Sequence, residues 1–511
     1  MAILLLLSLI VFPVLLITVS KKHKPYSIGN YSLPPTAWPR LPLVGSLFTP
    51  TMSSLSTVLR RLHNAHGPVV SLWVGGKPAI FIAGRDVAHR ALVHMGTTFA
   101  HRPASSRGGV NGHGINSATY GSRWGLLRRN LGSHLAAAHV TDVVRASTDR
   151  LVRALESAAV VVAGDDGAGV VVAPSETLRH AVFGLFAALC FGEGVDDDVL
   201  RHLRGLHGEI ISLVVELDAF HLVPALLQAV YYLPSRYMQL LSAQKRHRVL
   251  VTALILARRR RMEEVAGDSR ECYVDTLLRL GLGEEEMVSL CWEYMNASVK
   301  TTATAVEWIM ARLVHHQDIQ LELWTEICGR GGGRDTASCG DGQRRRPLVE
   351  AVVLEALRLH PPAHYLLAHT TDRDVILDGY AIPKGSVVNV GVASIGRDAA
   401  LWADATEFRP QRFMEGGEGA GVRSGISCGS SSAPETMKMM PFGAGRRACP
   451  GAAVAMAVLQ SFVQALVTRF EWKQVVASGV EEAAVDMTEK PGIVTEMRTA
   501  LVCHLVFRRR N

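Results

Sequence analysis

The chain has 511 residues, 48% of them hydrophobic and 20% charged, a balance that excludes disordered and fibrous proteins and leaves a globular one able to bury a large core. Its formal net charge of +8 suits an anionic membrane face or an acidic protein partner rather than nucleic acid: the arginine run 258–261 precedes Glu263 and Glu264, lacks interleaved aromatics and reads as the solvated face of a helix. Eight cysteines, at 190, 272, 291, 328, 339, 428, 449 and 503, form no CxxC pair, which argues against a zinc site or disulfide framework and fits a reducing compartment.

From the N-terminus, Met1 to Val19 is apolar almost throughout and is followed at once by Lys21, Lys22, His23 and Lys24. About 20 apolar residues span a bilayer as helix, and charge after the apolar core opposes a cleaved signal peptide. Residues 1–20 therefore read as a membrane anchor that leaves the rest of the chain on the cytosolic side. Residues 21–45 form a basic, proline-rich hinge, with "LPPTAWPRLPLVG" extended and semi-rigid, and 46–511 form one large body.

Within that body, 69–84 reads as a hairpin around Gly75 and Gly76. "YGSRWGLLRRN" places Trp124 and Arg128 at i and i+4 on one helix face. Helical periodicity runs through 175–192, 209–232, 242–266 and 454–472, and short β signals return at 374–392 and 486–507. The fold class is mainly α with small β-sheets. Three Gly-rich stretches, 163–169, 329–342 and 416–432, look like surface loops, and no internal repeat is seen.

Glu284 to Cys328 holds neither proline nor glycine and reads as one long helix. Its middle, "NASVKTTATAVEW", is rich in Ser, Thr and Val, mediocre helix formers that call for a reason other than helix stability. In "LVEAVVLEALRLHPP", Glu355 and Arg358 stand at i and i+3 on an apolar helix, where charges need partners. In "PFGAGRRACPGAAVAMAV", Phe442, Gly445, Arg447, Cys449 and Gly451 fill the pattern F-x-x-G-x-R-x-C-x-G ahead of an apolar helix. Glycines let the backbone turn around the cysteine, and the positive end of the helix favours a thiolate able to ligate iron. Axial thiolate on haem favours O–O cleavage.

With these motifs the sequence resembles the cytochrome P450 superfamily over almost its whole length. "INSATYGSRWGLLRRNL", "MMPFGAGRRACPG" and the anchor with its proline hinge look most like plant endoplasmic-reticulum members of the A type. The resemblance implies a single haem-binding domain with the cytochrome P450 fold, carrying haem b with Cys449 as the axial ligand of its iron. Phe442, Gly445, Gly451 and Ala297 would line the haem, Trp124 and Arg128 would reach one propionate, and Arg447 the other. It also implies a structural triad in which Arg412 of "FRPQRF" joins Glu355 and Arg358. The implied activity is that of a monooxygenase in the endoplasmic-reticulum membrane, its catalytic domain facing the cytosol. It would take electrons from NADPH through a membrane-bound, acidic-faced NADPH-cytochrome P450 reductase, cleave O2 and insert one oxygen into a small lipophilic substrate. The pocket would be lined from 105–121, 205–235, 294–302, 361–369 and 489–496; His113, His360, His364 and His369 read as loop or packing residues.

The stretch Ala297 to Thr302 aligns with the family's [A/G]-G-x-[D/E]-T-[T/S]. Thr301 and Thr302 are kept, and the Thr301 hydroxyl is expected to capture the Ala297 carbonyl and open a local bulge. Ser298 replaces the glycine and Lys300 replaces the acid that relays protons. Positions three and four from Lys300 on either side hold no acid, so it must reach water, find a partner elsewhere or carry a lowered pKa. The departures leave three readings besides a haem sensor or scaffold: an active monooxygenase, a degenerate haem-binding paralogue, and a peroxide-rearranging haem enzyme.

Overall fold

The computed structural model describes residues 26–36, 52–74, 77–103, 114–163, 170–220, 234–264, 271–329, 346–422, 437–475, 485–490 and 492–508. The anchor at 1–20, most of the hinge, His113 and most of the first two Gly-rich stretches lie outside the described residues.

The chain opens with a small ladder of β1 (Ser27–Ile28) and β2 (Tyr31–Ser32) and continues through α1 (Met52–His66), β3 (Val69–Val74), β4 (Lys77–Ile82) and α2 (Arg85–His89), which runs into a π-turn at Arg90–His94. Helices α3 (Ser122–Leu135) and α4 (His139–Ala163), strand β5 (Val170–Val172), and helices α5 (Ser175–Phe191), α6 (Asp197–Phe220), α7 (Pro234–Glu264) and α8 (Tyr273–Arg279) follow. Next come α9 (Glu284–His315), α10 (Gln317–Gly329), α11 (Leu348–Leu359), the strands β6 (His369–Thr370), β7 (Val375–Leu377), β8 (Tyr380–Ile382) and β9 (Val387–Val390), and α12 (Val392–Gly396). The chain closes with α13 (Ala452–Arg469), β10 (Phe470–Lys473), β11 (Glu489–Lys490), β12 (Glu496–Met497) and β13 (Cys503–Phe507).

The expected hairpin is the antiparallel pair β3 and β4, with Val69 opposite Ile82. It extends into a sheet of order β3-β4-β9-β6. Helix α13 is apolar and long enough to cross a bilayer, yet it packs against α4, α9, α10 and α11 with Phe462, Val463 and Leu466 fully buried, so it is a core helix. Helix α5 closes on Gly192, whose φ of 89° is the left-handed conformation that ends helices.

Several sequence expectations are corrected. The stretch 284–328 is two helices, broken at His316 without a proline or glycine. The Gln317 amide donates to the Val314 carbonyl at 2.7 Å and to the Trp472 carbonyl at 2.8 Å, and the Gln320 amide donates to Leu313 at 2.9 Å. Side-chain amides thus satisfy carbonyls that another helical turn would have used. Helix α6 begins at Asp197, before the predicted 209, because its buried stripe already includes Leu200, Leu203 and Leu206. Helix α7 begins at Pro234, before the predicted 242; its first turns expose Tyr237 and Met238 and show no apolar period. The arginine run is not wholly solvated: Arg258 is buried, with Nε and Nη2 2.8 and 2.7 Å from the two carboxylate oxygens of Asp275. Asp275 also accepts the Cys272 backbone N–H at the start of α8. Of the third Gly-rich stretch, 416–422 folds onto Arg412 rather than standing off as a surface loop: the Gly419 N–H donates to the Arg412 carbonyl at 2.7 Å, and Val422 is buried.

Under α6, α7 and α9, His207 and His247 face each other with ring nitrogens 2.9 Å apart beside Trp292. Burial pushes His247 down to about 4 from 6.5, and burial together with its partner pushes His207 down further.

Two outcomes are expected. Asp275→Ala removes the carboxylate that both Nε and Nη2 of the buried Arg258 meet, so chemical denaturation should show a loss of about 3–5 kcal/mol, with most of it recovered in an Arg258→Met, Asp275→Leu double variant. The buried neutral histidines stabilise the fold fully above their unfolded pKa of 6.5, and the contribution is lost as pH falls from there toward 4. The melting temperature should therefore drop over that window, with a shallower slope in a His207→Leu, His247→Leu variant.

Candidate active site

The cysteine loop is built on two glycines with positive φ, Gly443 at 70° and Gly445 at 68°. A Cβ on Gly445 would lie 1.9 Å from the Leu92 carbonyl oxygen, which the π-turn at Arg90–His94 presents, so only glycine fits there. The Cys449 N–H donates to the Phe442 carbonyl at 2.8 Å and closes the loop. Gly451 heads α13, and its N–H donates to the Cys449 sulfur. The sequence reading expects loop and helix end to favour the thiolate. Here burial pushes the thiol above its ordinary value and outweighs the opposing Gly451 N–H and Arg128. By surface area Cys449 is nonetheless exposed. A coordinating metal deprotonates such a thiol outright.

Beside the loop lies a concentration of cationic groups. Arg447 donates from Nε to the Ala100 carbonyl at 2.7 Å, from Nη1 to Ile115 at 2.8 Å and from Nη2 to Ala118 at 2.6 Å, and its guanidinium lies over the Trp124 ring, 4.8 Å from the centroid. Arg128 donates to the Ala448 carbonyl. Arg102, which sequence reading missed, donates to the Leu367, Ala368 and Asn116 carbonyls. Burial, then the neighbouring positive charge, pushes Arg102 and Arg447 each down to about 10. The nearby carboxylate is Glu293, likewise missed, which accepts the N–H groups of Ile115 and Asn116. Burial raises its pKa against those N–H groups and the two arginines. Two guanidiniums thus share one carboxylate with a third, Arg128, beside them, and the buried Trp124 Nε1 has no partner among the described residues. An excess of cations beside an orphaned indole donor fits the two carboxylates of a haem next to an iron-ligating sulfur.

Helix α9 is buried from Met287 to Met295 and again from Thr302 to Ala311; between them Asn296 and Ala297 are exposed, and Ser298 to Thr301 are half-buried. This window interrupts a helix otherwise sealed in the core. Its hydroxyls are turned back on the helix: Ser298 Oγ donates to the Tyr294 carbonyl at 2.6 Å, and Thr301 Oγ1 to the Ala297 carbonyl at 2.7 Å. The capture of Ala297 occurs, but α9 stays regular through it and no bulge opens. Thr302 is buried behind the window. Tyr294 and Met295, expected along the pocket, face the core, where Tyr294 stacks on Tyr273 with centroids 5.0 Å apart. Lys300 finds its partner outside its own helix: Nζ lies 3.2 Å from Glu496 Oε2 on β12.

Glu355, Arg358 and Arg412 meet in the interior, all fully or almost fully buried. Glu355 receives Arg358 Nε at 2.7 Å and Nη2 at 2.8 Å, Arg412 Nε at 3.0 Å and the Arg409 N–H at 2.8 Å. Arg358 spends its other donors on the Gly396, Ala405 and Glu407 carbonyls. The histidines near 360 serve packing. His360 stacks on Trp308 with centroids 3.9 Å apart and sits 3.1 Å from Glu489, His364 lies 3.2 Å from the same carboxylate, and His369 meets the Phe99 carbonyl at 2.7 Å.

The sequence profile of the family described as Cytochrome P450 matches residues 35–504. The chain is 33% identical over 505 residues to "Cytochrome P450 89A9" of Arabidopsis thaliana, covering 92% of each chain, and 27% identical to "Flavonoid 3'-monooxygenase" of the same plant, covering 98% of this chain and 96% of that one. Among solved structures it resembles a zebra fish cytochrome P450 determined with progesterone, with a TM-score of 0.69 at 21% identity over 88% of this chain and 99% of that one, a likeness of fold.

The two glycines of the loop give a graded test. Gly445→Ala should destabilise the protein by at least about 3 kcal/mol, since the left-handed strain adds to a backbone clash, whereas Gly443→Ala, whose Cβ would first meet a flexible Leu366 methyl at 3.4 Å, should cost about 1–2 kcal/mol. Thermal unfolding of the two variants measures the difference.

Proposed function

Because the chain belongs to the cytochrome P450 family, and is thereby an oxidoreductase of the monooxygenase type with the fold and haem cofactor of that family, we propose that it inserts one oxygen atom from O2 into a small lipophilic substrate, with electrons from NADPH delivered by NADPH-cytochrome P450 reductase. The observation that carries this reading is the window on α9, where a helix buried on both sides opens at Asn296–Thr301 beside the kept threonine. When bound, haem with an axial thiolate supplies the oxygen-splitting chemistry. Cys449 would hold the iron, Trp124, Arg128, Arg447 and Arg102 the haem carboxylates, and Phe442, Gly445, Gly451 and Ala297 would shape the walls. Thr301 would hold a proton at its hydroxyl and order water in the window, with Thr302 and Ser298 fixing the helix around it.

A lipophilic substrate fits the relative named as a flavonoid monooxygenase and the exposed apolar Leu367 and Ile493 of the two segments expected along the pocket. The exposed Arg129 and Arg446 flank the cysteine loop and suit an acidic reductase face. Residues 1–20 would anchor the protein in the endoplasmic-reticulum membrane, with 21–45 as the hinge and 46–511 as a cytosolic haem domain. The reading as a degenerate paralogue rests on Ser298 and Lys300 in place of the usual glycine and acid; the pairing of Lys300 with Glu496 gives that lysine a partner and favours the active enzyme.

Reconstitution with a plant reductase provides the test. The reduced, CO-bound protein should show the thiolate-haem band, and Cys449→Ser should lose it. Trp124→Phe should weaken haem retention about tenfold, the value of one hydrogen bond to a charged group. Thr301→Ala should keep the band while the yield of product per NADPH falls on the order of tenfold. NADPH consumption without product from any lipophile, in a protein that shows the band, would overturn the monooxygenase reading.

A further inference from the structure

Lys300 is the solvent-reaching end of a chain of paired charges. Its ammonium lies 3.2 Å from Glu496 Oε2, and the other oxygen of Glu496 lies 3.7 Å from Arg179 Nη2 on α5. The same Arg179 nitrogen lies 3.6 Å from Glu307 Oε2, and Glu307 also accepts the Ser175 hydroxyl. Lys300 and Glu307 are two helical turns apart on one face of α9, so β12 and α5 bridge that face. Arg179 Nη1 also lies 3.1 Å from Glu176, which lies 3.2 Å from Arg204, so three cations and three carboxylates balance in the set. Glu307 is buried, with 3% of its side chain exposed, whereas Lys300 at 40% reaches solvent.

The carboxylate is held where it stands by its own backbone. Trp308 Nε1, on α9 and fully buried, donates to the Thr495 carbonyl at 2.9 Å, and the Thr495 N–H donates to Pro362 at 2.8 Å. Glu496 is therefore fastened to α9 one residue from the point where α9 presents Lys300 to it. A carboxylate at position 300 would stand against Glu496, whose nearby cation Arg179 is already shared with Glu307 and Glu176, so the surroundings select a cation there.

We propose that Lys300 and Glu496 together form a charge-inverted proton entry to the window, the acid being carried on β12 instead of α9, with Glu496 as the positioning residue. The Lys300 ammonium gives a proton to water in the window, that water passes one of its own on toward the Thr301 hydroxyl, and Lys300, held in place by the Glu496 carboxylate, regains a proton from solvent, so the pair ends each transfer in its starting state. This inference rests on the monooxygenase reading, and its test separates the two.

Holoprotein with reductase is compared as wild type, Lys300→Asp, Glu496→Gln and the Lys300→Asp, Glu496→Lys exchange. NADPH oxidation, hydrogen peroxide release and the solvent deuterium effect are followed with and without a lipophile. Lys300→Asp alone should raise the share of NADPH lost as peroxide about threefold or more, and the exchange should bring it back near wild type. Glu496→Gln should change the solvent deuterium effect, which a purely structural contact would leave alone. A Lys300→Asp variant as well coupled as wild type, or an unchanged deuterium effect in Glu496→Gln, overturns the proposal. A wild type that consumes NADPH and makes no product overturns the monooxygenase reading instead, and its peroxide release and deuterium effect still decide the role of the pair.

Discussion

Glu355 is the point on which the architecture turns. A carboxylate with no exposed surface survives only if its lone pairs are matched, and two guanidiniums and a backbone N–H match them. Those partners come from different parts of the chain. Arg358 carries the contact on to the carbonyls of Gly396, Ala405 and Glu407, and Gly396 approaches so closely that a Cβ there would stand 2.5 Å from the Arg358 carbonyl oxygen. Both guanidiniums lie over the Trp402 ring, and Lys438, a few residues before the cysteine loop, lies over it too, 5.5 Å from the centroid. Helix α11, the end of the β9 segment and the approach to Cys449 are thus fixed to one charge.

The cysteine region shows the opposite arrangement: its positive charge is left in excess. Arg102, Arg128 and Arg447 converge with Glu293 as the nearby acid, and the Trp124 indole has no acceptor among the described residues. Where the Glu355 knot is self-sufficient, this region is built to be completed by an anion. The contrast separates a group that holds the fold together from groups that would hold the haem carboxylates under the proposed function, although both consist of buried arginines.

What could be read from the sequence was what local spacing encodes. Cys449 and its glycines, Trp124 with Arg128, Glu355 with Arg358, and the β3–β4 hairpin all lie within a few residues of their partners. Arg412 was legible because its short motif is distinctive. The remainder depends on partners far along the chain, which spacing cannot show: Arg258 looked solvated until Asp275 appeared opposite it, Lys300 looked isolated until Glu496 did, and Arg102 and Glu293 carried no pattern at all. A lone acid between Trp292 and Tyr294 on an apolar helix was the one available hint for Glu293. The break at His316 was invisible because glutamine amides, not a proline or glycine, end the helix.

The wiring of Arg447 has a consequence for when the site comes into being during synthesis. Its three carbonyl partners are Ala100, Ile115 and Ala118, separated from it by 347, 332 and 329 residues, and Gly445 seats against Leu92. No part of the cysteine loop can take its final shape while the ribosome is still extending the first four-fifths of the chain, however well the early helices have formed. Contacts of such long range are the slowest to close, so the cysteine loop is among the last parts of the fold to be completed, and the early-made Ala100 and Ile115 carbonyls must wait for the guanidinium that orders them.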